Sequence, residues 1–330
     1  MGDVPGEPRL WYVNTDFEAE LAALSQGRRY VPTGRFAARN RVIAYNLLKY
    51  LLRPGDALLT PDAWRTSLED VAARRGIALL PLESTQEAST YHFTPWGWTP
   101  TALAVGVRAG ARLSPPPLNS VARVNSKVYS HSLEVELAVA DERARLVASE
   151  AELVAHVAQA CPQAEAKWVI KHPYGVAARE RVLGRGPVVS PPAAAWCRRR
   201  FAEGLPLLFE PWYDVRQEYG LCGFLDPEGD LRLLGVSRPV TNGAGVLVGY
   251  ELEAASLPAS VLSLGRQVGA RLAAESYRGP WGMDVLEHSQ GWRCLLEINA
   301  RWTVGFLALG AMAQTAQGIG RWALELPPGA

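Results

Sequence analysis

The sequence predicts a mixed α/β protein in two parts, and three observations carry that prediction. Strand and helix patterns alternate through the first 82 residues, as they do in a parallel sheet. A run of Ser114-Pro115-Pro116-Pro117 then interrupts any regular element and serves as a linker. Beyond it, paired strand patterns flank strong turn signals, the signature of antiparallel hairpins.

Taken in order, residues 1–8 read as a disordered lead, 10–14 as the first strand and 36–52 as a helix. Residues 57–60 form a short strand, 67–75 a helix closed by Gly76, and 77–82 another strand. The second part starts near Asn119. Ser149-Glu150-Ala151-Glu152 fits a capping box, opening a helix that ends before Pro162. A strand over 167–171, a Gly- and Arg-containing loop over 175–186, a polar helix over 193–203 and a strand from 207 follow. Strands over 221–225 and 231–236 bracket Asp226-Pro227-Glu228-Gly229, a hairpin turn. A long helix over 257–275 precedes a second hairpin, with arms 281–287 and 292–298 around Ser289-Gln290-Gly291, and a final helix starts near Gly305.

Composition narrows the function. With 330 residues, 48% of them hydrophobic, the chain can build ample core for two domains. A net charge of +1, from 34 basic and 33 acidic residues, argues against a nucleic-acid or anionic-membrane surface. Neither a leader at Met1 nor an apolar run long enough to span a bilayer is visible, so a cytoplasmic location is the expectation. Cys161, Cys197, Cys222 and Cys294 are scattered, as are the five histidines, which argues against a zinc site or a redox dithiol. No Ser-His-Asp or Cys-His set presents itself. The first strand runs into Thr15-Asp16-Phe17-Glu18, not a G-x-G-x-x-G turn, which disfavours a dinucleotide oxidoreductase.

The chemistry concentrates in the last hairpin. Glu297 and Asn299 alternate onto one strand face, and a turn centred near residues 289–290 pairs Asp284 with Leu295 on that same face. Carboxylates and an amide converging without thiolate or imidazole suit Mg²⁺. Lys171 ends an apolar strand ahead of a loop beginning at Tyr174-Gly175, as a phosphate-binding lysine does, although an exposed strand-end lysine looks the same. Glu210-Pro211-Trp212 joins an acid to a flat ring, Glu218 follows, and an adenosine needs such partners; a hinge with surface charges is the alternative. Arg238 and Arg301 each end a strand pattern and suit phosphoryl oxygens, or ordinary surface ion pairs.

In this order, Lys171, Glu210, Glu218, Arg238, Asp284 and then Glu297-Ile298-Asn299-Ala300-Arg301, the chain resembles the ATP-grasp superfamily over about residues 119–312. The spacing is most similar to D-alanine-D-alanine ligases and related carboxylate-amine ligases. The resemblance implies an amino-terminal α/β domain (1–117) before a two-subdomain ATP-grasp fold (118–209 and 210–330). It implies ATP and Mg²⁺ as cofactors, with Lys127 and Lys171 approaching ATP and its phosphates. Glu210 and Trp212 would lie at the adenine, Glu218 at the ribose, and Asp284, Glu297 and Asn299 on the metal. Arg301 would stabilise the transferring phosphoryl group, helped by Arg238. Two departures stand out. The loop over 174–181 is poor in glycine, so Arg179 or Arg181 would replace part of a backbone cradle, and Gly282 stands where several amino-acid ligases carry an arginine, so a standard D-alanine site is not expected. The implied activity is ATP-dependent joining of a small-molecule carboxylate to an amine, such as an amino acid or short peptide, through an acyl phosphate. A kinase or thiol ligase on the same scaffold, or a nucleotide-binding scaffold without turnover, are the alternatives. Nucleic-acid and membrane partners are not expected, and the oligomeric state is open, a homodimer included.

Overall fold

The computed structural model describes residues 7–83, 88–175, 180–243, 245–315 and 320–329. Most of the expected lead, residues 1–6, and Arg179 in the expected phosphate loop lie outside the described residues.

The first sheet has four parallel strands, β1 (Arg9–Tyr12), β2 (Ala57–Thr60), β3 (Ala78–Pro81) and β4 (His92–Pro95), in the order β3-β2-β1-β4. Helices α1 (Phe17–Ser25) and α2 (Ala37–Tyr50) fall between β1 and β2, α3 (Arg65–Arg74) between β2 and β3, and α4 (Pro100–Arg108) after β4. All of β2 is buried, which explains its unbroken apolar run: a strand covered on both faces has no reason to alternate. The sequence reading found neither α1, β4 nor α4, although α4 carries a start signal. Thr99 Oγ1 accepts from Ala102 N at 3.1 Å and Pro100 occupies the first turn.

After the proline run come α5 (Leu118–Val124), α6 (Lys127–Glu136), β5 (Arg145–Val147), α7 (Glu150–Ala160), β6 (Lys167–Lys171), β7 (Arg181–Arg185), α8 (Pro191–Phe201) and β8 (Leu207–Pro211). Their strands form an antiparallel sheet, β5-β8-β6-β7. The cap is present with its return bond shifted by one residue: Ser149 Oγ accepts from Glu152 N at 3.2 Å, and the Glu152 carboxylate accepts from the N–H of Ala148, just before the cap, at 2.8 Å. The expected loop over 175–186 is partly strand, however, because β7 pairs along the whole of β6. Gly184, read as a loop residue, is a seat for a ring; a Cβ there would sit 2.0 Å from Trp168.

The third sheet is antiparallel, in the order β13-β12-β9-β10-β11-β14. It comprises β9 (Val215–Leu225), β10 (Leu231–Thr241), β11 (Leu247–Glu251), β12 (Gly279–His288), β13 (Gly291–Asn299) and β14 (Arg321–Trp322), with α9 (Ala259–Ala274) before β12 and α10 (Val304–Gln314) after β13. The β9–β10 turn closes through Gly229 N to Asp226 O at 3.0 Å, with Gly229 at φ +96°, where a side chain would be strained. On one side of this sheet, Leu264, Val268 and Leu272 of α9 pack with Leu221, Trp281 and Met283. A second core joins Cys222 and Tyr250 to Phe306 and Leu307 of α10 and to Ile43 and Leu47 of α2. The amino-terminal part is thereby packed against β9 and β11 of the third sheet. Among the described residues no helix is long and apolar enough to cross a membrane.

Candidate active site

The terminal hairpin pairs as expected near its turn, with His288 opposite Gly291 and Leu286 opposite Arg293, and then departs. A bulge places Cys294, Leu295 and Leu296 against Val285 alone, so Asp284 faces Glu297 and not Leu295. Two carboxylates thus stand directly across from one another, an arrangement that repels unless a cation intervenes. Asn299 joins them, donating its amide to Asp284 Oδ2 at 3.3 Å. From the start of α6, Lys127 reaches over with Nζ 2.6 Å from Glu297 Oε1 and 2.6 Å from the Gly175 carbonyl. One ammonium does not balance the pair. Burial, reinforced by Glu297 and Glu218 and opposed by Arg301 and Lys127, pushes the Asp284 carboxyl up to about 7.

A second charge cluster lies across the cleft. Lys171, at the end of β6, ion-pairs with Glu210 at the end of β8. The other Glu210 oxygen accepts from Arg293 Nη2 at 3.0 Å, and Arg293 also forks onto Glu134 of α6 at 2.7 and 2.8 Å. All of Glu134, Glu210 and Arg293 are buried. Burial pulls Glu210 towards the neutral form, yet Lys171 and Arg293 together hold its carboxyl below the ordinary value. The sequence reading missed Arg293 and Glu134. The available signal was an arginine set among Trp292, Cys294 and Leu295, a place where a charge persists only if it is paired.

Between the clusters lies a cleft of about 310 Å³, lined by Lys127, Lys171, Glu210, Trp212, Glu218, Asp284 and Glu297 among others. Seven of the ten residues singled out from sequence therefore converge there, with Asn299 one hydrogen bond behind Asp284. Trp212 is covered by the Arg181 guanidinium, 5.1 Å from the ring centre. Glu218 accepts from Thr241 Oγ1 at 2.9 Å, and burial raises its carboxyl. Arg238 and Arg301 do not line this cleft. Arg238 pairs with Glu251 at 2.8 Å and Glu253 at 2.6 Å on the outer hairpin. Buried Arg301 ion-pairs with Glu18 of α1, and donates to Asn299 Oδ1 at 3.0 Å and to the Trp302 carbonyl at 2.9 Å. Glu18 thereby ties the amino-terminal part to the acidic trio, a long-range pairing that no local pattern announces.

The donor set suits a hard divalent cation. Among the described residues no three His, Cys, Asp or Glu side chains gather at one point, so an all-protein cage is absent there. Two carboxylates and an amide are instead what Mg²⁺ takes when phosphates and water complete its shell.

No family model matches the chain, and no curated protein matches it in sequence. Solved structures do match. Biotin carboxylase from Campylobacter jejuni, a β-γ-ATP complex, is 11% identical with a TM-score of 0.60 over 87% of this chain and 71% of its own. PurK, an N5-carboxyaminoimidazole ribonucleotide synthetase in its ADP complex, is 12% identical with a TM-score of 0.54 over 98% of this chain and 80% of its own. The biotin carboxylase domain of Hydrogenobacter thermophilus 2-oxoglutarate carboxylase, holding MgADP, ADP and bicarbonate, is 13% identical with a TM-score of 0.55 over 94% and 70%. At such identities the likeness is one of fold: an amino-terminal parallel sheet, a small antiparallel sheet and a larger antiparallel sheet with a charged cleft between them identify this chain as having the ATP-grasp fold.

Proposed function

We propose that the protein is an ATP- and Mg²⁺-dependent ligase that joins a small-molecule carboxylate to an amine, releasing ADP and phosphate. The observation that carries the reading is the Asp284–Glu297 pair, face to face with one ammonium on Glu297 and open to a cleft that also holds Lys171, Trp212 and Glu218. The nucleotide-bound and bicarbonate-bound states of the similar structures support it. We divide the chain for this purpose into 1–117, 118–209 and 210–330.

Asp284, Glu297 and Asn299 would hold the metal, which when bound supplies positive charge to the phosphates. Lys127 and Lys171 bring ammonium groups to the phosphate oxygens, Trp212 with Glu210 flanks the base, and Glu218 accepts from ribose hydroxyls. A carboxylate oxygen of the substrate attacks the γ-phosphorus, the bond to ADP breaks, and an acyl phosphate forms. The amine nitrogen then attacks the acyl carbon, phosphate leaves with the bonding pair, and the amine loses a proton. Arg301 steadies the site during transfer through Asn299, and Arg238 is an outer helper. No side chain acts as covalent nucleophile.

A carboxylate labelled with heavy oxygen tests this directly. One label per turnover must appear in released phosphate, and hydroxylamine must trap the acid as a hydroxamate when the amine is withheld. Arg301→Ala should suppress both signals together. Product formation with AMP and unlabelled phosphate would mean activation through an adenylate, and phosphorylated product without phosphate release would mean a kinase.

A further inference from the structure

A second cavity, of about 180 Å³, lies further along the same face of the third sheet. Asp284, Gly282 and Pro280 alternate onto that face of β12, opposite Gly220, Cys222 and Phe224 of β9. The cavity begins at Pro280 and Phe224, roughly 13 Å along the strand from Asp284 at 3.3 Å per residue. Its walls come from two remote parts of the chain. Phe93, Trp96 and Trp98 belong to β4 and the segment after it, and Phe224 and Trp302 to the third sheet and the segment beyond β13. Phe93 and Trp98 meet edge-on at 5.7 Å, and Phe224 and Trp302 are tilted at 6.5 Å, so aromatic rings from both parts of the chain line the cavity.

The charges are one-sided. Arg9, Arg278 and Arg301 line the cavity and no Asp or Glu does. Arg9 is balanced from behind by Asp56 at 2.9 Å, and Arg301 by Glu18. Arg278 has no such partner among the described residues; it donates to the carbonyls of Pro227 at 3.2 Å, Ala273 at 3.0 Å and Tyr277 at 2.7 Å, which orient it without neutralising it. A cation held in place by neutral acceptors beside aromatic walls presents its charge to whatever enters.

We propose that this cavity binds a single flat aromatic ring carrying an anionic group, with the ring between Trp98 and Phe224 and the anion on Arg278. Its size excludes a nucleotide, since pockets for larger ligands begin at about 300 Å³. The site is separate from the nucleotide cleft and does not depend on the ligase reading. Arg301 lines the second cavity and donates to Asn299 Oδ1, which places the occupant one side chain away from Asn299.

Calorimetric titration of the whole protein with indole-3-acetate, benzoate and phenyl phosphate, beside neutral indole and acetate, tests the proposal. The aromatic anions should bind at least about 10-fold more tightly than either indole or acetate, the worth of one charge-assisted contact. Benzoate against phenyl phosphate distinguishes a carboxylate from a phosphate ligand. Arg278→Gln should erase the preference for the anions over indole, and Ser114→Trp, at an exposed position on the rim, should block anions and indole alike. Excess MgADP should leave these affinities unchanged. Displacement by MgADP, indifference to both substitutions, or no aromatic anion binding would each overturn the site.

Discussion

Two charge clusters face each other across the cleft, and they are balanced in opposite ways. Lys171, Glu210, Arg293 and Glu134 alternate in sign and close on themselves, so Glu210 stays ionised although fully enclosed. Asp284 and Glu297 share only Lys127, since Arg301 is already matched by Glu18, and Asp284 is driven towards its neutral form. A self-satisfied cluster holds shape, whereas an under-compensated one waits for a cation from outside. Under the proposed function the first is a scaffold beneath the nucleotide, the second a place for chemistry.

Changes to each cluster should therefore fail differently. Arg293→Met leaves Glu134 and Glu210 buried without their shared partner and should cost about 3–5 kcal/mol of stability, read by chemical denaturation; a loss of activity with unchanged stability would break the comparison. Glu297→Gln should do the reverse, lowering ATP turnover by at least about 10²-fold while the unfolding midpoint holds or rises. Near-normal turnover would remove the metal assignment. Lys171→Ala stands between the two. It should weaken nucleotide binding and turnover together by about 10-fold, one charge-assisted contact, and unchanged affinity for ATP would return Lys171 to a purely structural part.

Proton linkage sharpens the contrast. The Asp284 carboxyl lies at about 7 in the folded chain against an ordinary 3.8, so the folded state binds that proton more tightly than the unfolded one. Its contribution to metal-free stability is then lost as pH rises from about 4 to about 7. Asp284→Asn should flatten that decline, and stabilisation of the parent by Mg²⁺ should grow as pH passes 7; thermal melts with and without Mg²⁺ at pH 5, 7 and 8 measure both. The smallest effect is expected at Arg238, whose partners Glu251 and Glu253 lie on the outer hairpin. Arg238→Ala should change stability by no more than about 1 kcal/mol, and a large loss of turnover would bring it into the site.

Much of this was legible along the chain because the signals were local. Strand β6 and the turn at residues 226–229 rest on apolar runs and turn residues that need no distant partner. Helix α1 and strand β4 were not legible. Glu18 and Glu20 are buried in α1, so its sequence lacks the polar face that marks a surface helix, and β4 has only four residues. The acids of the site were found, but their register was not, since a bulge opposite Val285 depends on packing beyond the hairpin.

By itself the sequence determined which residue types the candidate site would contain: carboxylates and an amide on one strand pair, a lysine at a strand end and an aromatic beside a buried acid. These follow from local alternation and from the rule that charge in an apolar strand must have a purpose. Tertiary structure alone decided how they are paired. Glu210 is closed by Arg293 and Arg301 by Glu18, across separations of 83 and 283 residues, and only the folded chain shows which carboxylates are matched and which pair is left open to a cation. Coulomb interactions depend on distance in space, and no pattern along the chain encodes that distance.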